Sequence, residues 1–191
     1  EKLNQFDQAI LAYHKALSFN PRNDGTWTTI GNMLLAIGRH EQAIQCFDKA
    51  TDINPKSDGS FYGKGLAYDR LSKPDEALAA LRKAVEVKPN HERAWNEMGS
   101  VLSRQNKFQE AIDCFDKAIA IKKDYQAAWY NKGRALQALG KHKEAMECYD
   151  RAIAVKADTE SWSARGLPLF TMGKYKDSLE RLIKAVTIDS K

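Results

Sequence analysis

Long apolar runs are missing from this sequence, and so are clustered cysteines, proline-rich tracts, glycine-rich tracts and a strong charge bias. No stretch approaches the roughly 18 consecutive apolar residues that a membrane-spanning helix needs. The opening residues, Glu1-Lys2-Leu3-Asn4-Gln5, lack the apolar centre of a secretory signal, and the chain starts with Glu rather than Met, as a piece of a longer protein would. Three cysteines and five prolines in 191 residues exclude a disulfide-built scaffold and a proline-rich linker. Thirty Lys and Arg stand against 25 Asp and Glu, a net charge of +5 with the signs interleaved and a shallow drift toward basic at the C-terminal end. Nucleic-acid binders concentrate their cations on one face, so neither nucleic acid nor a membrane is an expected partner. The hydrophobic share of 43% and charged share of 29% describe a folded chain. The expected location is cytoplasmic, where isolated thiols stay reduced.

Catalytic and cofactor signatures are missing too. Gly63-Lys64-Gly65 superficially suggests a phosphate loop, but it lies within a helical pattern with no strand before it. His14, His40, His91 and His142 fall in no metal-binding spacing. His40 and His142 share a register at the entry to a helix, which suits a turn-packing role. Cys46, Cys114 and Cys148 recur at equivalent positions of successive units. Packed helices lie about 8–10 Å apart, beyond disulfide reach, so these thiols read as packing residues. Acid pairs such as Asp75-Glu76 open a helix, where they complement its dipole. No cofactor, metal or enzymatic activity is expected.

What the chain has is a beat. Trp27, Phe61, Trp95, Trp129 and Trp162 recur every 34 residues, with one interval of 33. Four residues after each comes a glycine: Gly31, Gly65, Gly99, Gly133 and Gly166. Ala43, Ala77, Ala111, Ala145 and Ser178 keep the same interval, as do Phe47, Leu81, Phe115, Tyr149 and Leu182. Within 92–125, Trp95, Met98, Gly99 and Leu102 form one helical stripe, and Ala111, Ile112, Phe115, Ala118 and Ile119 form a broader one after a polar break at Asn106-Lys107. Two amphipathic helices with a short connection make an antiparallel hairpin. Glycine inside a helix costs about 1 kcal/mol against alanine. Its recurrence implies a close approach of the paired helix, with the small alanines opposite, and a large residue at Gly133 should clash. A single hairpin cannot bury both stripes, so the units stack.

The pattern of aromatic, Gly, Ala, aromatic, Ala and Pro over 34 residues resembles the tetratricopeptide family across the whole chain. The resemblance implies an all-α, right-handed superhelical solenoid of antiparallel helix-turn-helix repeats. The expected units are 1–23 (the second helix of a hairpin only), 24–57, 58–91, 92–125, 126–158 and 159–191. It also implies a protein–protein interaction scaffold that takes a peptide or helical segment of another protein in its concave groove. Two other roles stay open: the recruiting arm of a larger enzyme whose catalytic domain lies elsewhere, and a self-assembling structural scaffold.

In the family, ligands contact the first helix of each hairpin. Carried onto this chain, the groove residues are Asn32, Tyr62, Asp69, Arg70, Arg93, Asn96, Arg104, Tyr130, Asn131, Arg134 and Gln137. The two-carboxylate clamp of chaperone-binding relatives is not matched in any three-unit window: the first holds Thr28, Asn32, Gly63, Arg93 and Glu97 in its slots. The asparagine ladder of sugar-transferring relatives is reduced to Asn131. Lys64, Lys132 and Arg165 stand before the glycines and would lend the groove positive charge, favouring acidic segments. Pro168 should kink or shorten its helix, and the 33-residue interval should tighten the turn before Trp162. Leu182, Ile183, Val186 and Ile188 at an uncapped end could drive association between copies.

Overall fold

The computed structural model describes the backbone of residues 2–171 and 173–189, and the side chains of 6–171 and 173–187. Eleven α-helices and no strand occur among the described residues. They are α1 (Lys2–Phe19), α2 (Asp24–Ala36), α3 (His40–Ile53), α4 (Asp58–Arg70), α5 (Pro74–Val87), α6 (Glu92–Arg104), α7 (Phe108–Ile121), α8 (Gln126–Ala138), α9 (His142–Val155), α10 (Thr159–Thr171) and α11 (Tyr175–Asp189). The chain divides into two compact units, 1–94 and 95–191.

Local chemistry sets each helix boundary. The Asn23 side chain accepts the Thr26 N–H at 3.0 Å, and Asp158 accepts that of Ser161 at 2.8 Å, satisfying orphan donors at the starts of α2 and α10. First helices end in a left-handed residue that recurs with the repeat: Gly38, Ser72, Asn106, Gly140 and Gly173, at φ between 56° and 80°. Beyond each, a backbone N–H reaches back to a carbonyl five residues earlier, as Arg39 does to Leu34 at 2.8 Å and Lys141 to Leu136 at 2.9 Å. This is the bond that reverses the chain into the second helix.

In the first unit α2 packs on α3 and α4 on α5, and α4 also lies against α3 and α2. Ile10, Leu17, Ile30, Leu34, Ala43, Cys46 and Phe47 form one buried cluster, with Trp27 packed against it. In the second unit α8 pairs with α9 and α10 with α11, while α7 meets α8 and α8 meets α10. Trp95 and Trp129 pack against Ala118, Ile119 and Ala128. The indole N–H of Trp27 donates to the Pro21 carbonyl at 3.0 Å, and that of Trp129 to Lys123 at 2.8 Å, tying each ring to the turn that precedes it.

The glycines face a large side chain of the paired helix, a ring at Gly31, Gly99 and Gly133 and Leu81 at Gly65, where the carbonyl of the opposing Ala77 also lies 3.4 Å from a β-carbon. A β-carbon at Gly31 would lie 2.6 Å from the Phe47 ring, and one at Gly99 would lie 2.5 Å from Phe115. The Phe47 ring also lies against Gly63 of the following hairpin, at 2.4 Å from a β-carbon there, so one ring is seated between two bare backbones. The connection before α10 is three residues, 156–158, against four before α8, as the short interval requires. Pro168 does not shorten α10. The helix keeps 13 residues with Pro168 inside and buried, and the Pro168 carbonyl accepts the Thr171 hydroxyl at 2.8 Å. No described helix is long and apolar enough to cross a membrane.

Candidate functional site

The second unit holds an open cavity of about 1100 Å³ bounded by α8, α9, α10 and α11. Tyr130, Arg134 and Gln137, all projected from α8 as groove residues, line it. They fall at i, i+4 and i+7, so one helical face presents all three. Tyr149 of α9 closes the floor: its hydroxyl donates to Gln137 Oε1 at 2.8 Å, and its ring lies 5.9 Å from that of Tyr130. Burial drives the Tyr130 phenol up to about 12, helped by a hydrogen bond to Glu160 and that carboxylate's charge, while Arg134 opposes the shift. The Tyr149 phenol is raised further, again chiefly by burial, so both hydroxyls remain neutral donors at physiological pH. Ala164, Leu167, Phe170 and Leu182 supply an apolar wall.

The amides behave differently from the open peptide-facing floor that their register implies. Asn96 is 3% exposed, and its Oδ1 accepts from Asn131 Nδ2 at 3.1 Å. The same Asn131 nitrogen points to Ser100 Oγ at 3.5 Å. The donor of Asn131 is thus held by its own fold. Arg104 is exposed. In the first unit Asn32, Arg70 and Arg93 are exposed, Asp69 is half-buried, and Tyr62 stacks against His91 with ring centres 4.9 Å apart. Of the projected residues, those of α8 are the ones that line the cavity in the second unit.

The positive charge expected beside the glycines is neutralised. Lys64 pairs with Asp48, Lys132 with Asp116 at 2.5 Å, and Arg165 with Asp150, whose second oxygen takes the guanidinium at 3.0 Å. Each pair joins the second helix of one hairpin to the first helix of the next. These cations lock repeat to repeat and are not offered to a ligand.

His91 is another role that spacing did not reveal. Its Nδ1 accepts the Ala94 N–H at 3.3 Å, capping α6. Its Nε2 lies 3.7 Å from Asp58. Burial, the largest effect, lowers its pKa against the opposing pull of Asp58. All three cysteines are buried and free. Burial pushes the Cys148 thiol up to about 11, which makes it a poor nucleophile. No cluster of three or more His, Cys, Asp or Glu able to hold a metal occurs among the described residues.

No curated protein matches the sequence. Among solved structures, that of MamA superposes with a TM-score of 0.78 at 25% identity, covering 84% of this chain and 95% of the other. A second MamA, from Desulfovibrio magneticus RS-1, gives 0.80 at 18% identity over 87% and 95% of the two chains. YrrB, described as a TPR protein with an unusual peptide-binding site, gives 0.76 at 20% identity over 94% and 93%. The model of the cilia and flagella-associated protein 70 C-terminal domain, a tetratricopeptide-repeat family, matches residues 1–186. Periodicity, hairpin geometry and this match agree, and the chain belongs to that tetratricopeptide family.

Proposed function

We propose that this chain is a protein–protein interaction scaffold that receives a polypeptide segment of a partner along its first helices, centred on the cavity at Tyr130, Arg134 and Gln137. The observation that carries this reading is that cavity: about 1100 Å³, open, and lined by aromatic, amide and guanidinium groups from one helical face. Tyr and Arg supply large contact area with a polar tip, which is why they dominate binding hot spots. An open groove of this kind does not exclude water and suits recognition better than chemistry. The likeness to YrrB supports a peptide as the bound form. The family's name supports a ciliary or flagellar setting.

A photo-crosslinking residue at Ala138, which is exposed and lines the cavity, tests the reading. Partner polypeptides should crosslink there and not from Glu144, exposed on α9 and not part of the cavity lining. Equal crosslinking from both positions removes the assignment. A second role, self-association, draws on Leu179, Ile183 and Val186 of α11, which are 60%, 54% and 67% exposed. Of the residues placed in that patch from the sequence, Leu182 lies in the cavity lining and Ile188 lies outside the described side chains. Light scattering over a concentration series tests this role, and a monomer throughout removes it.

A further inference from the structure

The cavity beside Tyr130 opens where one hairpin carries smaller side chains at two positions that hold rings in the hairpin before it. Counting forward one unit, Ser163 stands where the preceding first helix has Tyr130, and Leu182 stands where the preceding second helix has Tyr149. All four side chains line the same space. Tyr149 is fully buried, whereas Leu182 is 43% exposed. A β-carbon at Gly133 would press to 2.6 Å from the Tyr149 ring, but one at Gly166 would stand 3.3 Å from Leu182. At the equivalent Gly31, Gly65 and Gly99 the facing side chain, ring or leucine, also comes to 2.5–2.6 Å, so α10 keeps the glycine without the close neighbour. Leu167 and Phe170, 52% and 58% exposed, extend the apolar wall outward.

The lining carries one cation, Arg134, and one anion, Glu160. Glu160 is engaged by the Tyr130 hydroxyl. Arg134 is exposed on the same rim, and no ion pair or hydrogen bond holds its guanidinium among the described residues. A planar guanidinium beside two tyrosines is suited to a carboxylate.

Resting on the groove reading above, we infer that this cavity takes a polypeptide segment bearing a bulky aromatic or leucine-like side chain next to an acidic residue. The apolar side chain fills the volume that Ser163 and Leu182 leave vacant, and the carboxylate meets Arg134. Burying a large apolar group supplies the affinity, while the charge sets orientation.

The test is selection of a randomised short-peptide library displayed on phage against the whole chain, followed by anisotropy titration of the enriched peptides. The expected consensus is an aromatic or Leu beside Asp or Glu. Ser163→Tyr, which restores the residue used one repeat earlier, should weaken binding about tenfold or more with helix content and thermal midpoint retained. Leu182→Phe should act in the same direction. Reselection against Arg134→Gln should keep the aromatic preference and lose the acidic one. A consensus without an apolar anchor, wild-type affinity in Ser163→Tyr, or an acidic preference that survives Arg134→Gln overturns the inference. Peptides of other chemistry that still crosslink at Ala138 would sink the ligand class and leave the groove reading standing. Peptides that bind without crosslinking there would sink both.

Discussion

The Tyr149 ring lies so near Gly133 that a β-carbon on the glycine would sit 2.6 Å from the ring's Cε1. The ring cannot yield cheaply, because it is fully buried and its hydroxyl is bonded to Gln137. Gly133→Ala should therefore destabilise by about 1–3 kcal/mol through overpacking, outweighing the roughly 1 kcal/mol of helix propensity it gains. Gly166→Ala is the control. Its β-carbon would meet Leu182 at 3.3 Å, a contact relieved by a few tenths of an ångström. That variant should be neutral or slightly stabilised. Urea denaturation of the two proteins checks the contrast, and equal loss in both would show that the ring is not the cause.

Ser72 closes α4 at a φ of 56°, in the turn position that Gly38, Gly140 and Gly173 fill elsewhere. A side chain in the left-handed region costs about 1–2 kcal/mol, and glycine recovers most of this against its greater freedom when unfolded. Ser72→Gly should raise the midpoint of thermal unfolding by a few degrees, from a gain of about 0.5–1 kcal/mol. Ser72→Val, β-branched and worse suited to the same backbone, should lower it.

The architecture was legible because it repeats. One tryptophan at a 34-residue interval carries little weight, but rings, glycines and alanines keeping one beat report a packing constraint applied five times over. The three-residue connection before α10 was legible for the same reason, since a missing residue in a strict period must come from a loop. Interactions that couple different periods were not legible. Lys132 looks like a free groove cation until α7 is laid beside α8, which brings Asp116 to it. Asn96 and Asn131 look like two independent amides until their helices place one against the other. His91 sits in no recognisable motif, yet the turn into α6 makes it a cap. The cavity was partly visible, through Tyr130, Arg134 and Gln137. That Ser163 and Leu182 share its lining with Tyr130 and Tyr149, the residues one unit earlier, needed the aligned repeats and the packing together.

The Lys132–Asp116 pair joins α8 to α7 at 2.5 Å, with the lysine 20% and the aspartate 50% exposed. An exposed pair of this kind contributes about 0.2–1 kcal/mol, less at high salt. Lys132→Ala and Asp116→Ala should each be mildly destabilising, and the double variant should lose less than the sum of the two. The coupling measured by that cycle should shrink when the salt concentration is raised. Strict additivity at low salt would show that the pair contributes nothing to hairpin stacking.

The His91 cap makes the first unit sensitive to acid in a defined direction. Its Nδ1 must stay unprotonated to accept the Ala94 N–H, and burial lowers its pKa below the ordinary value of 6.5. Asp58 and Glu92 pull the other way, while Lys88 and Arg93 reinforce the shift. The folded state thus holds the proton less tightly than the unfolded chain. Stability from this group is fully present above pH 6.5 and declines as the pH falls through that value, levelling off once the folded pKa is passed. His91→Asn, which keeps a capping acceptor without a titrating ring, should flatten that part of the profile. Denaturant midpoints measured in steps between neutral pH and the onset of carboxylate titration check this. A wild-type profile that rises on acidification across that range, or an unchanged slope in His91→Asn, would rule out the neutral imidazole cap.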